Sequence, residues 1–180
     1  IMNRDVLSKI KWLGHDSFRI EAEKTVYIDP FQLDTDVKAD VILISHEHQD
    51  HCSLDDIEKI RKDDTLIITE EKSAAKLQES VKIMSPGESV EIDGIKVETV
   101  ISYNTNKKFH PKENNWLGFI IEVDGTRIYH AGDSDFIPEM KGFKVDIALL
   151  PVSGTYVMTA DEAVEAALAI QQKIAIPMHY

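Results

Sequence analysis

The chain has 180 residues, 43% hydrophobic and 7% aromatic, so it can bury a sizeable core and is not a disordered chain. Lys and Arg number 20 against 32 Asp and Glu, a net charge of −12, which repels phosphate backbones and argues against a general nucleic-acid binder. A single cysteine excludes an internal disulfide and a cysteine-rich zinc site, and with no apolar run near the ~20 residues that span a bilayer and no signal peptide at the start, the expected location is the cytoplasm. Ile1 ahead of Met2 reads as an added residue.

In chain order, short runs at 9–13, 18–21 and 25–29 carry β-branched or aromatic residues and read as strands, separated by Gly14-His15-Asp16 and 22–24. Residues 40–45 (DVILIS) form the continuous apolar run of a buried strand. Leu54, Ile57, Glu58 and Arg61 predict an amphipathic helix over 53–62, with Ser53 as its cap. A strand at 65–69, a helix at 73–80 and a strand at 81–84 follow. Asp93-Gly94 and Asp124-Gly125 each lie between apolar runs, a strong hairpin signal. Residues 145–150 read as another buried strand. Thr159 with Glu162 makes a capping box for a helix running to about Gln172, and 173–176 reads as the last strand. Helices inserted between buried strands make this an α/β chain, and two sheets stacked face to face with helices outside would satisfy the order. No linker, repeat or low-complexity tract divides it, so a single domain over 1–180 is expected.

The histidines carry the chemistry: His15, His46, His48, His51, His110, His130 and His179. Three fall in Ser45-His46-Glu47-His48-Gln49-Asp50-His51, directly after a buried strand and before a helix, where α/β folds place their sites. In an extended segment His46 and His48 project to the same side, while Asp50 and His51 sit where the chain turns into the helix. One loop then offers two imidazoles to one ion, and a carboxylate with an imidazole to a second. Ligand bonds of ~2.0–2.2 Å require such a loop to be tight.

The order of motifs resembles the metallo-β-lactamase superfamily: the H-x-H-x-D-H block, an isolated His110, Gly132-Asp133, then His179 after a buried strand. The match runs from Trp12 to Tyr180. The resemblance implies a four-layer αββα sandwich of two mixed β-sheets with helices outside. It implies a first metal on His46, His48 and His110, a second on Asp50, His51 and His179, and Asp133 bridging both. Within the superfamily the chain is similar to the small metal-dependent hydrolase branch that includes L-ascorbate-6-phosphate lactonase-like proteins. Trp12-Leu13-Gly14-His15, Ile28-Asp29-Pro30-Phe31, Tyr129-His130-Ala131-Gly132-Asp133 and Pro177-Met178-His179-Tyr180 carry that likeness. Asp133, rather than a cysteine, points away from the drug-hydrolysing lactamases. His48, rather than an acidic residue, points away from the flavodiiron oxygen reductases. Related proteins continue past the His179 position with another strand or helix. With the stop at Tyr180, the expectation is either a tail that is removed or disordered, or a last ligand on a frayed end.

Other residues have a plain reading beside a functional one. His130 is expected to orient a ligand rather than bind metal. His15 either meets the substrate, as a contact or general acid, or caps a turn. Asp29 either makes a turn before Pro30 or supports the histidine loop from beneath. Cys52 is expected to be a buried, inert thiol, and Asp135 a solvated or capping residue. In the polar loop 102–116, Lys107, Lys108 and Lys112 flank His110. They read either as a solvated surface or as a lid drawing an anionic substrate toward the metals. Residues 154–158 would line the other side of that pocket.

The expected activity is metal-dependent hydrolysis of a small anionic lactone, ester or phosphodiester. Two divalent ions ~3.5–4 Å apart would lower the pKa of a shared water. The bridging hydroxide would attack, held in line by Asp50 and Asp133, with His15 as a third catalytic group. Zinc is expected first and manganese second, and iron or nickel also suit five imidazoles and two carboxylates. No G-x-S-x-G elbow and no P-loop occurs. The competing readings are an RNA-processing nuclease of the same superfamily, a mononuclear iron oxygenase acting on a persulfide, and a non-catalytic metal-binding module. The expected partner is a small anionic substrate, with homo-oligomerisation open and neither membrane nor nucleic acid expected.

Overall fold

Strand order follows chain order because short turns allow antiparallel neighbours, whereas parallel neighbours need a longer crossover. The computed structural model describes residues 5–77 and 81–180. The start at Ile1-Met2 and the last three positions of the helix expected at 73–80 lie outside the described residues. The chain divides into two compact units that meet at Met84 and Ser85.

The first unit opens with an unanticipated short helix, α1 (Asp5–Lys9). Its six-stranded sheet runs β1 (Ile10–Gly14), β2 (Ser17–Glu21), β3 (Thr25–Ile28), β4 (Val41–Leu43), β5 (Leu66–Thr69) and β6 (Val81–Ile83) in that order. The first three strands are antiparallel and the rest pair parallel. The crossover from β4 to β5 carries α2 (Leu54–Ile60), whose Ser53 cap accepts the Asp56 N–H. α3 (Glu71–Ala74) starts earlier than expected, because the Glu70 carboxylate caps it and accepts from Lys72 and Ser73 N–H. A glutamate is not among the residues that usually signal a cap. Tyr27, Ile42, Ile44, Ile57, Ile60 and Ile67 form the core of this unit. A fully buried side chain of this size is worth ~1.5–3 kcal/mol.

The second unit's sheet contains β7 (Ser89–Ile92), β8 (Ile95–Ile101), β9 (Leu117–Val123), β10 (Thr126–His130), β11 (Ile147–Pro151) and β12 (Ile174–Met178), again in sequence order. β7 to β10 form an antiparallel meander, and β10, β11 and β12 pair parallel. Both expected hairpins form. Asp93 and Gly94 (φ 46° and 84°) and Asp124 and Gly125 (φ 50° and 72°) take the left-handed pairs that a tight two-residue turn requires. α4 (Ala160–Ile170) opens on the full Thr159–Glu162 capping box and stops at Gln171, whose φ is 60°. Gly118 on β9 lies so close to β10 that a Cβ there would be 2.9 Å from the His130 carbonyl oxygen. Among the described residues no helix is long and apolar enough to cross a membrane.

Candidate metal centre

In the first unit the H-x-H-x-D-H loop leaves the carboxyl end of β4 and closes on itself. Both His51 N–H and Cys52 N–H donate to the His48 carbonyl, at 3.0 and 2.8 Å. The loop brings its imidazoles together: His46 Nε2 lies 3.0 Å from His48 Nδ1, and the His46 and His51 rings are 4.1 Å apart. Asp50 Oδ2 sits 2.8 Å from His15 Nε2 and 3.5 Å from His51 Nε2. His46 and His51 are buried.

Asp29 anchors this loop from beneath. Its fully buried carboxylate accepts Ser45 N–H at 2.7 Å and Ser45 Oγ–H at 2.6 Å, and pairs with His51 Nδ1 at 2.8 Å. Ser45 Oγ in turn lies 2.9 Å from His46 Nδ1. One carboxylate therefore orients His51 directly and His46 through a hydroxyl. His15 and Asp29 both hold left-handed backbone, φ 51° and 45°, a conformation that costs an L-residue free energy and needs surrounding structure to enforce it. Lys76, just past α3, straps the loop from another side, donating to the Glu47 carbonyl at 2.7 Å and pairing with its carboxylate at 3.0 Å. Cys52 is buried and lines a cavity of about 350 Å³ with Glu47, Gln49 and Lys76. Burial pushes its thiol up to about 11, so it stays protonated at neutral pH, as expected of an inert cysteine.

In the second unit Asp133 lies between two imidazoles. Its Oδ2 is 3.0 Å from His110 Nε2 and its Oδ1 is 3.3 Å from His179 Nε2. All three side chains are buried. Each imidazole is held through its other nitrogen, His110 Nδ1 by Asn104 Oδ1 at 3.1 Å and His179 Nδ1 by Ser153 Oγ at 2.9 Å. Asn104 Oδ1 also accepts the His110 N–H, and its Nδ2 donates to the Tyr156 carbonyl. His179 has a φ of 60°. His130 is buried, and its Nδ1 accepts the Gly132 N–H at 3.1 Å, which shapes the turn that presents Asp133.

The structure corrects two readings of the loop 102–116. Asp135 is not solvated but buried. It accepts Thr105 N–H at 2.7 Å and takes the Lys107 ammonium at 2.8 Å. Lys112 pairs with Glu139 at 3.0 Å and lies 4.4 Å over the Tyr103 ring. Two of the three lysines thus fasten the loop to its own unit, and Lys108 is exposed, with no such tie among the described residues. An attracting lysine lid does not follow from this arrangement.

Asn104, Ser153 and Asp16 escaped the sequence reading. Asp16 is buried, with Oδ2 3.9 Å from His51 Nδ1. None of the three sits in a spacing pattern that marks it. Ser45 alone carried a signal, as the residue leading into the histidine block.

The donors suit a divalent metal. His15, Asp50 and His51 offer ligand atoms within 4.8 Å of one another, as do His46 with His48, and Asp133 with each of His110 and His179. Imidazole nitrogen and carboxylate oxygen are the ligands of zinc, manganese and non-haem iron sites.

Comparison with known proteins agrees. A β-lactamase superfamily domain model matches residues 9–179. A UPF0173 metal-dependent hydrolase of Thermoplasma acidophilum is 37% identical over 188 residues, covering 96% of this chain and 83% of its own. A solved Parabacteroides distasonis protein, assigned as a metal-dependent hydrolase, is 40% identical with a TM-score of 0.90, over 95% of this chain and 81% of that one. A Thermotoga maritima protein assigned as a zinc-dependent hydrolase of the metallo-β-lactamase superfamily is 28% identical, with a TM-score of 0.66 over 95% and 75%. With two mixed sheets, their helices, and histidine and aspartate clusters at the strand ends, the chain belongs to the β-lactamase superfamily, as a UPF0173-type metal-dependent hydrolase of the metallo-β-lactamase fold.

Proposed function

We propose that this protein is a dinuclear metallohydrolase acting in the cytoplasm on a small anionic lactone, ester or phosphodiester. One observation carries the reading: four imidazoles are each held through Nδ1, His46 by Ser45, His51 by Asp29, His110 by Asn104 and His179 by Ser153. Fixing one ring nitrogen is how proteins aim the other at a metal. In this reading His46, His48 and His110 hold one ion, Asp50, His51 and His179 hold the second, and Asp133 serves both. Zinc is the first choice and manganese the second, with iron or nickel also compatible with the donors. When bound, the ions supply Lewis acidity and a water whose pKa drops from 15.7 toward ~7.

The protein's own groups do the rest. Asp133 presents one oxygen to His110 and the other to His179, so its charge is shared by two imidazoles. His15 Nε2 and Asp50 Oδ2 lie 2.8 Å apart, so each fixes the orientation of the other. Seven ligands carry only two carboxylate charges, so a loaded centre is net positive and favours an anion. With Lys107 and Lys112 tied to carboxylates, that attraction rests on the centre itself. The lactonase-like motifs around Trp12, Asp29 and His130 support a lactone among the candidates.

The test is metal analysis coupled to a panel of lactones, esters, phosphodiesters and short RNAs. His48→Ala and Asp133→Ala are each expected to lower bound metal and abolish turnover. Full metal content and full activity in either variant would overturn the dinuclear reading. Cleavage of RNA alone would overturn the substrate class.

A further inference from the structure

The second unit leaves two large aromatic side chains half in water. Phe109 and Tyr156 are each 48% exposed, and their rings meet edge to face with centroids 4.7 Å apart. A pair that serves only packing would be covered further, because burying aromatic area is strongly favourable. Both rings stand on segments already committed to candidate ligands. Phe109 directly precedes His110, whose ring and N–H are held by Asn104. Tyr156 gives its carbonyl to the same Asn104 amide at 3.0 Å. Three residues before it, Ser153 holds His179. The Asn104 side chain therefore ties both rings to the backbone that aims His110.

We infer that Phe109 and Tyr156 form a subsite for the non-reacting, apolar portion of the substrate, an acyl chain or aromatic ring carried beside the anionic group. This rests on the hydrolase reading above and narrows it: the substrate is amphiphilic, with its charge at the metals and its apolar part on the aromatic pair. Lys107 and Lys112 of the same loop are paired with carboxylates, and the exposed position directly before His110 offers the Phe109 ring. Binding energy from a remote group of this kind positions the reacting bond.

The probe is a series of n-alkylphosphonates, methyl to hexyl, titrated calorimetrically into metal-loaded protein. An open platform covers each methylene only in part, so affinity is expected to rise about twofold per methylene, roughly thirtyfold across the series. In the Phe109→Ala/Tyr156→Ala double variant the hexyl-to-methyl affinity ratio is expected to fall below about threefold, and in Phe109→Leu to remain near that of the parent. A merely structural role would weaken all phosphonates alike and leave the ratio unchanged. No binding, a flat series in the parent protein, or a steep one in the double variant overturns the subsite. Ester turnover measured alongside separates the two readings. Hydrolysis without chain-length dependence removes the subsite alone. Chain-length dependence without hydrolysis of any ester removes the hydrolytic reading alone.

Discussion

Asp29 shows how much one side chain can organise. It accepts two hydrogen bonds from Ser45 and pairs with His51, all in a fully buried place. Asp29→Ala strands those polar groups, and a loss of about 3 kcal/mol is expected in urea unfolding, with reduced metal content. Asp29→Asn keeps two acceptor contacts at most and should fall between. Ser153→Ala is the contrasting case. It removes one hydrogen bond at the buried His179 ring. Stability should change by less than about 1 kcal/mol, while metal affinity drops about 10–100-fold in chelator competition. Equal metal affinity in that variant would show that His179 does not need its serine. The histidine block was legible because its ligand types fall within six consecutive residues. The Ser153–His179 contact was not, because it joins positions 26 apart with no periodic pattern between them.

Strands and turns were read more easily than short helices. The Asp-Gly hairpins and the Thr159–Glu162 box are local chemistry, complete within two to four residues, and the structure contains both. α3 depended on a glutamate cap, and α1 is only five residues long, too short for a repeating apolar face. Two tests belong to the second sheet. Gly118→Ala would push a methyl to within 2.9 Å of the His130 carbonyl and 3.2 Å of the Ala131 carbonyl. Backbone cannot give way as a flexible side chain can, so a loss of about 1–3 kcal/mol is expected in thermal unfolding. The second test is acid. Arg127 on β10 grips Glu98 on β8 through two nitrogens, at 3.0 and 3.2 Å. Those hydrogen bonds, with Lys96 helping against partial burial, hold the Glu98 carboxyl at about 2 against an ordinary 4.5. The unfolded chain binds the proton first as pH falls. The stabilisation is therefore present above about pH 4.5 and lost as pH falls toward 2. Glu98→Gln should flatten the acid limb of the stability profile over that window, and an unchanged limb would assign acid unfolding to other carboxylates.

At the scale of the molecule, the net charge of −12 gains a second meaning. Lys76, Lys107, Lys112 and Arg127 are paired with carboxylates, so bound metal would add positive charge that these four residues do not offer. Loading should then be visible in stability as well as activity. Metal at 100 times its Kd adds ~2.7 kcal/mol, and calorimetry with and without chelator should show the melting temperature fall on stripping. An unchanged transition would mean that the donors hold no ion. The left-handed backbone at His15, Asp29 and His179 has a consequence for change over time. Each of these residues occupies a conformation that glycine or asparagine enters more cheaply, by about 1 kcal/mol. A library selected for heat resistance alone, with no demand for turnover, should drift toward glycine or asparagine at 15 and 179. Such a population would inherit the fold and forget the chemistry.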